Sequence, residues 1–433
     1  MKKLFFAAMV LVLSSAMLFA SGSSEATSSS SSDEKVVINY YEWDMPNEKF
    51  IEDFEAENPD IDVVVHIIPA NGDRATKLDT IALSGSDMDV FPIADGDQFL
   101  RMENGMLASL DSYIAADGFD MNEAFGAYAE WGVGSDGHVY GIPYRMTKTM
   151  VFYNKDYFDA AGVEYPSDDW TLDEYIETAR KMAAWGKDQG IYGTYTHTYN
   201  NEWATIVAQV GQWYKEDGSC NIWDDAWVKG LETRKMLDDE GTQMSFAQIK
   251  AVKAAINATF LSGKEAMVTA GSWLVRDIKN QEKFPHDFNI GIAYMPRYDE
   301  TVEGHRSNFS VSVLTVPEKS EHKEEAWRFI KYYVTRANAE IAATGNMPAY
   351  VPAYDDAEVV EKFAEGANID QIYIDKLFAK DTQFSTNKIL GGNGAKYMTI
   401  IGEEVSLYFN GEKSLTDTLN EIQSRVNSEV LGK

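Results

Sequence analysis

Aromatic, amide and charged residues cluster in predicted loops at five places along the chain. These places are Trp43-Asp44, Asp95-Gly96-Asp97, Tyr144-Arg145, Tyr199 to Trp203, and Gly271-Ser272-Trp273. A sugar presents apolar C–H faces and a rim of hydroxyl groups, so aromatic rings cover the faces while Asp, Asn and Arg bind the hydroxyls. These residue types therefore predict a sugar-binding site, although for any one tryptophan core packing is an equal alternative.

Motifs for catalysis or metal binding are missing from the sequence. No two of the six histidines lie within five residues of each other, and no HExxH pair occurs. Neither a GxSxG elbow nor a GxxxxGK[ST] phosphate loop is present. The 69 carboxylates could supply a glycosidase pair by chance, so their number indicates little. We predict no enzyme, no metal and no cofactor. The alternative is an exported carbohydrate-active enzyme, a glycoside hydrolase or a lyase.

The elements that must position these clusters alternate between strand and helix. Strands are predicted over 36–41, 61–68 and 89–94, with helices around 50–54 and over 76–83. This β-α-β-α-β order favours a mostly parallel sheet with ligands at the carboxyl ends of its strands. Further along, strands are predicted over 289–295 and 311–316 and a helix over 324–343. Capping-box patterns start helices at Thr171 and Ser414.

The amino-terminal residues have the layout of an export signal. Lys2 and Lys3 precede an uncharged apolar run, Leu4–Ala20, and small residues follow at once. We predict a signal peptide over 1–20 and a Ser-rich flexible linker over 21–35, with an uncleaved membrane anchor as the alternative. Ser21 stands where a bacterial lipoprotein has its lipidated cysteine. We therefore expect an exported protein, in the periplasm or at the outer face of the cytoplasmic membrane, that is not lipidated through a lipobox cysteine.

Composition limits the partners that the protein can have. The chain has 433 residues, a net charge of −31 and 12% aromatic residues. This excess of carboxylates argues against nucleic acid as a partner, because nucleic-acid binders need a basic stripe. Cys220 is the only cysteine, so an internal disulfide and a cysteine-rich metal site are excluded.

Four segments resemble the extracellular solute-binding proteins of bacterial ABC sugar importers, family 1, which includes maltose-binding protein. They are Phe54 to Val63, Asp89-Val90 through Gly105-Met106-Leu107 to Leu110 to Tyr113, Asp136 to Pro143 with Phe152 to Phe158, and Phe260 to Met267 with Gly271-Ser272-Trp273. The resemblance implies an α/β, two-lobed periplasmic-binding-protein fold of type II. Each lobe would be a helix-covered β-sheet, and a multi-crossover hinge would join them. The implied N-lobe is 36–146 plus 306–344, and the implied C-lobe is 147–305 plus 345–433.

The resemblance also implies a function and a set of site residues. A monomer would capture a mono- or oligosaccharide between the lobes and deliver it to the permease subunits of the transporter. The implied ligand-binding residues are Trp43, Asp44, Asp95, Asp97, Tyr144, Arg145, Asn200, Trp203, Trp273, Asn346 and Asn393. Trp273 is expected to be the stacking platform. The sugar's identity stays open, as do a polyol and glycerol phosphate, because Arg145 could pair an anion.

Overall fold

The computed structural model describes residues 35–433, except 44–45, 47, 69–73, 85–86, 95–97 and 390–392. The predicted signal peptide and all of the predicted linker except Lys35 lie outside the described residues. Residues Lys35–Lys433 belong to one compact unit. Within the described ranges, none of the helices has the length and apolar character needed to cross a bilayer.

The described residues form nine strands. In chain order they are β1 Val36–Glu42, β2 Ile61–Ile67, β3 Phe91–Ile93, β4 Gly141–Asn154, β5 Met267–Gly271, β6 Ile290–Ala293, β7 Arg306–Thr315, β8 Met347–Pro348 and β9 Gln383–Ser385.

Seventeen α-helices lie in the same described part of the chain. They are α1 Glu48–Glu57, α2 Arg74–Leu83, α3 Gln98–Glu103, α4 Asp111–Asp117, α5 Met121–Phe125, α6 Lys155–Ala161, α7 Leu172–Gly186, α8 Asp225–Asp239, α9 Phe246–Val252, α10 Ile256–Leu261, α11 Leu274–Lys279, α12 Lys323–Arg336, α13 Asn338–Ala343, α14 Ala357–Ala364, α15 Gln371–Phe378, α16 Gly394–Phe409 and α17 Leu415–Arg425. Short 3₁₀ segments cover Gly126–Gly132, Lys187–Gln189, Glu202–Ala204, Val207–Gln209 and Val351–Asp355, and a π turn covers Val426–Val430.

The first three strands lie side by side, as the sequence predicts. β1 pairs in parallel with β2, and Tyr40 of β1 bridges in parallel to Val90, just before β3. The larger sheet is different, because β7 lies between β3 and β4 and is antiparallel to both. β5, β6 and β8 also pair antiparallel with β4. The prediction of a mostly parallel sheet is therefore wrong for this sheet. The prediction was based on the first three strands, whereas the long strands β4 and β7 run in opposite directions.

β4 changes its partner at its centre. Its first half pairs with β7 as far as Lys148, which lies opposite Phe309. Its second half pairs with β5, starting with Thr149 opposite Gly271. The strand therefore passes from one set of neighbours to the other between Lys148 and Thr149. Because β4 is continuous through this crossover, the half that pairs with β7 and the half that pairs with β5 have a fixed register along one strand.

Local signals account for several helix boundaries. The capping box predicted at Thr171 is present, and the Ser414 side chain accepts a hydrogen bond from the main-chain N–H of Asp417. The helix predicted over 324–343 is two helices, α12 and α13, which meet at Ala337. Gly345 then takes a φ of 76°, a left-handed conformation that ends the helical run at little cost for glycine.

Candidate ligand-binding site

The end of β1 carries a fully buried carboxylate, that of Glu42. The Tyr40 hydroxyl donates to its Oε2 atom, and the main-chain N–H of Trp43 donates to its Oε1 atom at 2.7 Å. The Tyr144 hydroxyl donates to Oε1 at 3.3 Å, and Nη2 of Arg145 lies 3.4 Å from Oε2. Three predicted site residues, Trp43, Tyr144 and Arg145, are thus gathered around a carboxylate that sequence reasoning did not single out.

Arg145 lies between this carboxylate and an open cavity. Its side chain is 11% exposed, and its guanidinium lies 4.9 Å from the centre of the Tyr144 ring. Burial would lower its pKa, but the Glu42 carboxylate holds the pKa of Arg145 above the ordinary value. Burial and the same carboxylate raise the pKa of Tyr333 to about 12. The cavity has a volume of about 430 Å³ and is lined by Pro46, Phe50, Arg145, Tyr333, Ala337, Ala339, Glu340, Ile341, Ala343, Thr344, Glu358, Lys362 and Glu365.

Trp273 lies where β5 meets the crossover in β4. The main-chain N–H of Ser272 donates to the Lys148 carbonyl at 2.8 Å, and the Lys148 N–H donates to Oγ of Ser272 at 3.2 Å. A Cβ atom on Gly271 would come within 2.3 Å of Cγ2 of Thr147 and 2.5 Å of Cδ1 of Trp273. The half-buried indole therefore lies against Gly271 and beside Thr147. Sequence reasoning missed Thr147, although it lies two residues after Arg145 on the same face of the strand.

Lys148 is buried on the opposite face of β4. Its Nζ donates to the carbonyls of Lys376, Leu377 and Ala379 at 3.0, 3.1 and 2.9 Å. These carbonyls lie at the C-terminus of α15, where a cation is favoured. Burial lowers the pKa of Lys148 to about 7, against the opposing effect of Asp381. Lys148 thus fastens α15 to the strand that positions Trp273.

Asn200 is exposed, whereas Trp203 is buried. The Asn200 side chain donates to the Met398 carbonyl of α16 at 3.2 Å. The ring of Trp203 packs edge-on against Trp213 and Trp227, with centroids 6.2 and 6.0 Å apart, and its indole N–H donates to the Asn200 carbonyl at 2.8 Å. Trp203 therefore supports the turn that presents Asn200.

Glu202 is a half-buried carboxylate in the same turn, and sequence reasoning did not select it. Burial raises the pKa of the Glu202 carboxyl to about 7, while Arg234 and Lys388 act in the opposite direction. Nζ of Lys388 donates to Oγ of Ser310 in β7 at 3.3 Å. The only signal in the sequence is the position of Glu202 inside the Tyr199 to Trp203 cluster.

A network of amides ties this turn to β7. The Asn308 side chain donates to the Thr205 carbonyl at 2.5 Å. The main-chain N–H of Asn387 donates to Oδ1 of Asn308 at 2.8 Å, and its side chain donates to the Asn201 carbonyl at 3.1 Å. Hydrogen bonds between residues distant in the sequence therefore hold the turn that carries Asn200 to strand β7.

The remaining predicted residues are in different surroundings. Asn346 is half-buried and donates to Oγ1 of Thr344 at 2.8 Å, just before β8 joins β4 beside Arg145. Asn393 is exposed and precedes α16. The predicted residues Asp44, Asp95 and Asp97 lie outside the described residues.

Two further features bear on the chemistry available. Among the residues that the structure describes, no group of three or more His, Cys, Asp or Glu side chains could hold a metal ion. A larger hollow of about 540 Å³ lies against α14, and the residues that line it, from Tyr354 to Gln371, include none of the predicted site residues. Arg145, Thr147 and Trp273, which lie along the crossover in β4, can stack on a ring and exchange hydrogen bonds with polar groups.

A family model for the bacterial extracellular solute-binding proteins matches residues 46–340. This match covers more than half of the chain and includes the crossover strand, the Asn200 turn and Trp273. The chain belongs to this family. The resemblance inferred from sequence is thereby confirmed, and the members of this family are substrate-binding proteins of the extracellular or periplasmic space.

Individual relatives of this solute-binding protein are distant. A putative binding protein of Brucella abortus is 26% identical over 288 residues, which are 64% of this chain and 66% of that protein. A multiple sugar-binding protein of Streptococcus mutans is 27% identical over 315 residues, which are 69% of this chain and 71% of that protein. The chain thus aligns with about two thirds of the length of these relatives.

A crystal structure of a sugar transporter protein from Rhizobium etli, in an open conformation, is similar to this solute-binding protein. The two share 25% identity with a TM-score of 0.74, over 91% of this chain and 99% of that one. The likeness confirms the predicted two-lobed periplasmic-binding-protein fold of type II. The lobe boundaries at 146, 305 and 344 stay predictions.

Proposed function

We propose that this protein is the extracytoplasmic substrate-binding component of an ABC importer, which captures a mono- or oligosaccharide between its lobes. The observation that carries the proposal is the half-buried indole of Trp273, held at the crossover beside Thr147 on the face of β4 that also carries Arg145. An indole face and a row of hydrogen-bonding groups suit the two surfaces of a sugar ring. The Streptococcus mutans relative, named for binding multiple sugars, supports this ligand class.

The proposed site residues have different roles. Trp273 stacks on the ring, Asn200 binds hydroxyl groups, and the Glu202 carboxyl adds a further hydrogen-bonding group two residues along the same turn. Tyr144 and Trp203 have a supporting role, because their rings are buried. The Tyr144 hydroxyl donates to the Glu42 carboxylate, and the Trp203 indole N–H donates to the Asn200 carbonyl. Trp43, Arg145, Asn346 and Asn393, with Asp44, Asp95 and Asp97, complete the proposed site.

The proposed mechanism is closure of two lobes around the ligand. The lobes would be 36–146 plus 306–344 and 147–305 plus 345–433, joined by β4, β7 and the segment around β8. A sugar bound by both lobes stabilises the closed state, because only that state makes both sets of contacts. The closed, loaded monomer then delivers its sugar to the membrane permease, and no covalent chemistry is involved.

The proposed location is outside the cytoplasmic membrane. Residues 1–20 would direct export and 21–35 would tether the folded body or become its free terminus after cleavage. Mass spectrometry of the protein recovered from cells distinguishes a terminus after Ala20 from an uncleaved anchor.

A thermal-shift screen over mono- and oligosaccharides and polyols tests the function. A ligand at 100 times its Kd stabilises the folded state by about 2.7 kcal/mol and raises the Tm by roughly 3 °C for a protein of this size. Chromatography of the same samples should recover the sugar unchanged. Release of product at catalytic turnover would instead identify a carbohydrate-active enzyme.

A further inference from the structure

Arg145 and Glu42 bear on whether the ligand is neutral or carries a phosphate group. An arginine beside a cavity is a ready partner for a phosphate group, since its planar guanidinium matches phosphate oxygens. Arg145 lines the 430 Å³ cavity, but its Nη2 atom lies 3.4 Å from Oε2 of Glu42. Glu42 is fully buried, so this carboxylate is not screened by water.

Glu42 is held firmly in the position that neutralises Arg145. The Tyr40 hydroxyl, the Trp43 main-chain N–H and the Tyr144 hydroxyl all donate to its two oxygens. Three donors fix the direction of the carboxylate. Arg145, which lines the cavity, therefore has an internal partner in the Glu42 carboxylate behind it.

The other described cations around the site also have internal partners. Nζ of Lys148 donates to three carbonyls of α15 and its C-terminal turn, and Nζ of Lys388 donates to Ser310. Arg234 donates to the His197 carbonyl and lies 3.7 Å from the Asp238 carboxylate.

The wall of the cavity adds negative charge. It carries Glu340, Glu358 and Glu365 against one lysine, Lys362, whose Nζ lies 3.0 Å from Oε2 of Glu365. A phosphate entering this cavity would meet an excess of carboxylates. It would also lie close to Glu42, and two anions in a poorly hydrated site repel each other strongly. A hydroxyl group avoids this repulsion because it accepts hydrogen bonds from a guanidinium without adding charge.

We propose that Glu42 sets the charge class of the ligand: by neutralising Arg145 it makes the site accept uncharged polyhydroxyl compounds and refuse phosphorylated ones. The inference rests on the proposed sugar-binding function and narrows it. It removes glycerol phosphate and sugar phosphates from the candidate ligands and keeps neutral sugars and polyols.

The test compares wild-type protein with Glu42→Gln, using inorganic phosphate, sn-glycerol 3-phosphate and D-glucose 6-phosphate as probes. Glutamine keeps an acceptor oxygen and the size of the side chain but leaves Arg145 without its counter-ion. We expect no thermal shift with these anions in the wild type, and a Kd for phosphate at least about tenfold lower in Glu42→Gln. The double variant Glu42→Gln/Arg145→Met should lose this gain.

The matched control is Glu340→Gln, which changes the net charge of the same cavity by the same amount. Equal gains in both variants would overturn the proposal, because general electrostatics would then explain them. A folded Glu42→Gln protein with no gain would also overturn it. If Glu42→Gln does not fold, the test uses the wild-type protein alone. Binding of a phosphate ester as tightly as the same compound without its phosphate would overturn the proposal. Weaker or absent binding of the phosphate ester would support it.

The test of Glu42 and the test of sugar binding can fail independently of each other. If no neutral sugar or polyol binds the wild type, sugar binding fails as the function. The comparison of the phosphate Kd between the wild type and Glu42→Gln still tests the role of Glu42, because that comparison uses no sugar as its reference.

Discussion

Two tryptophans predicted to bind the ligand, Trp273 and Trp203, have different structural surroundings. Trp273 is half-buried and lies beside Thr147 at the crossover, whereas Trp203 is 5% exposed and packs among other indoles. Of the two, only Trp273 is partly exposed, as a ring that stacks on a ligand must be. The same contrast holds for Tyr144, whose ring is buried and whose hydroxyl points to Glu42.

Replacing the stacking platform should weaken binding without unfolding the protein. We expect Trp273→Ala to raise the Kd for the sugar by roughly 5- to 150-fold, on the order of 1–3 kcal/mol for a lost aromatic platform. Isothermal titration calorimetry measures the change. Trp223→Ala is the control, because Trp223 is also partly exposed but outside the proposed site. Equal affinities for Trp273→Ala and the wild type would show that the site is placed wrongly.

Glu265 predicts a pH dependence of stability. Burial raises the pKa of this carboxyl from 4.5 to about 8, against smaller opposing effects of Thr259 and Lys264. Between these pH values the unfolded chain releases the proton while the folded protein keeps it. Stability should therefore fall as pH rises through this window, by at most about 5 kcal/mol.

Glu265→Gln isolates this effect, because glutamine stays neutral in both states. Urea denaturation between pH 5 and pH 8 should show a smaller loss of stability in Glu265→Gln than in the wild type. Exposed Glu164→Gln should follow the wild type. A Glu265→Gln protein that loses as much stability as the wild type over this range would contradict the assignment.

At the scale of elements, β4 connects most of the features of the site. Its first half brings Arg145 to Glu42 and its second half brings Thr149 opposite Gly271. Alternation along the strand puts Arg145 and Thr147 on the half-buried face and Lys148 on the buried one. One strand therefore carries Arg145 and Thr147 on one face and anchors α15 through Lys148 on the other.

Removing the Lys148 ammonium should loosen α15. Lys148→Met keeps the apolar stem but leaves the carbonyls of residues 376, 377 and 379 without their donor. We expect a loss of about 1–3 kcal/mol in the free energy of unfolding and faster amide exchange in 371–379. Exposed Lys181→Met should change stability by less than about 0.5 kcal/mol. If the two variants are equally stable, Lys148 has no such anchoring role.

At the scale of the whole molecule, the crossover geometry predicts a ligand-dependent change of shape. Sugar binding should shift the protein toward a closed form with a smaller radius of gyration, which small-angle X-ray scattering measures. At a sugar concentration near the wild-type Kd, Trp273→Ala should show a smaller decrease in radius than the wild type, because less of it is occupied. A radius that does not change at saturating sugar would exclude closure as the mechanism.

The sequence by itself determined the local features of this protein. Three such features are present: strands β1 and β2, the capping box at Thr171 and the end of the helical run at Gly345. Each depends on neighbours a few residues away in the sequence. Its ordered motifs also determined the family, because the match covers residues 46–340.

Only the tertiary structure decided which of the candidate residues meet. Glu42 reaches Arg145, the amides of residues 201, 308 and 387 join in one network, and Lys148 reaches α15 more than 200 residues away. It also put Trp203 in the core and gave β4 and β7 opposite directions. These outcomes depend on contacts between distant segments, and such contacts leave no periodicity in the local sequence from which they could be predicted.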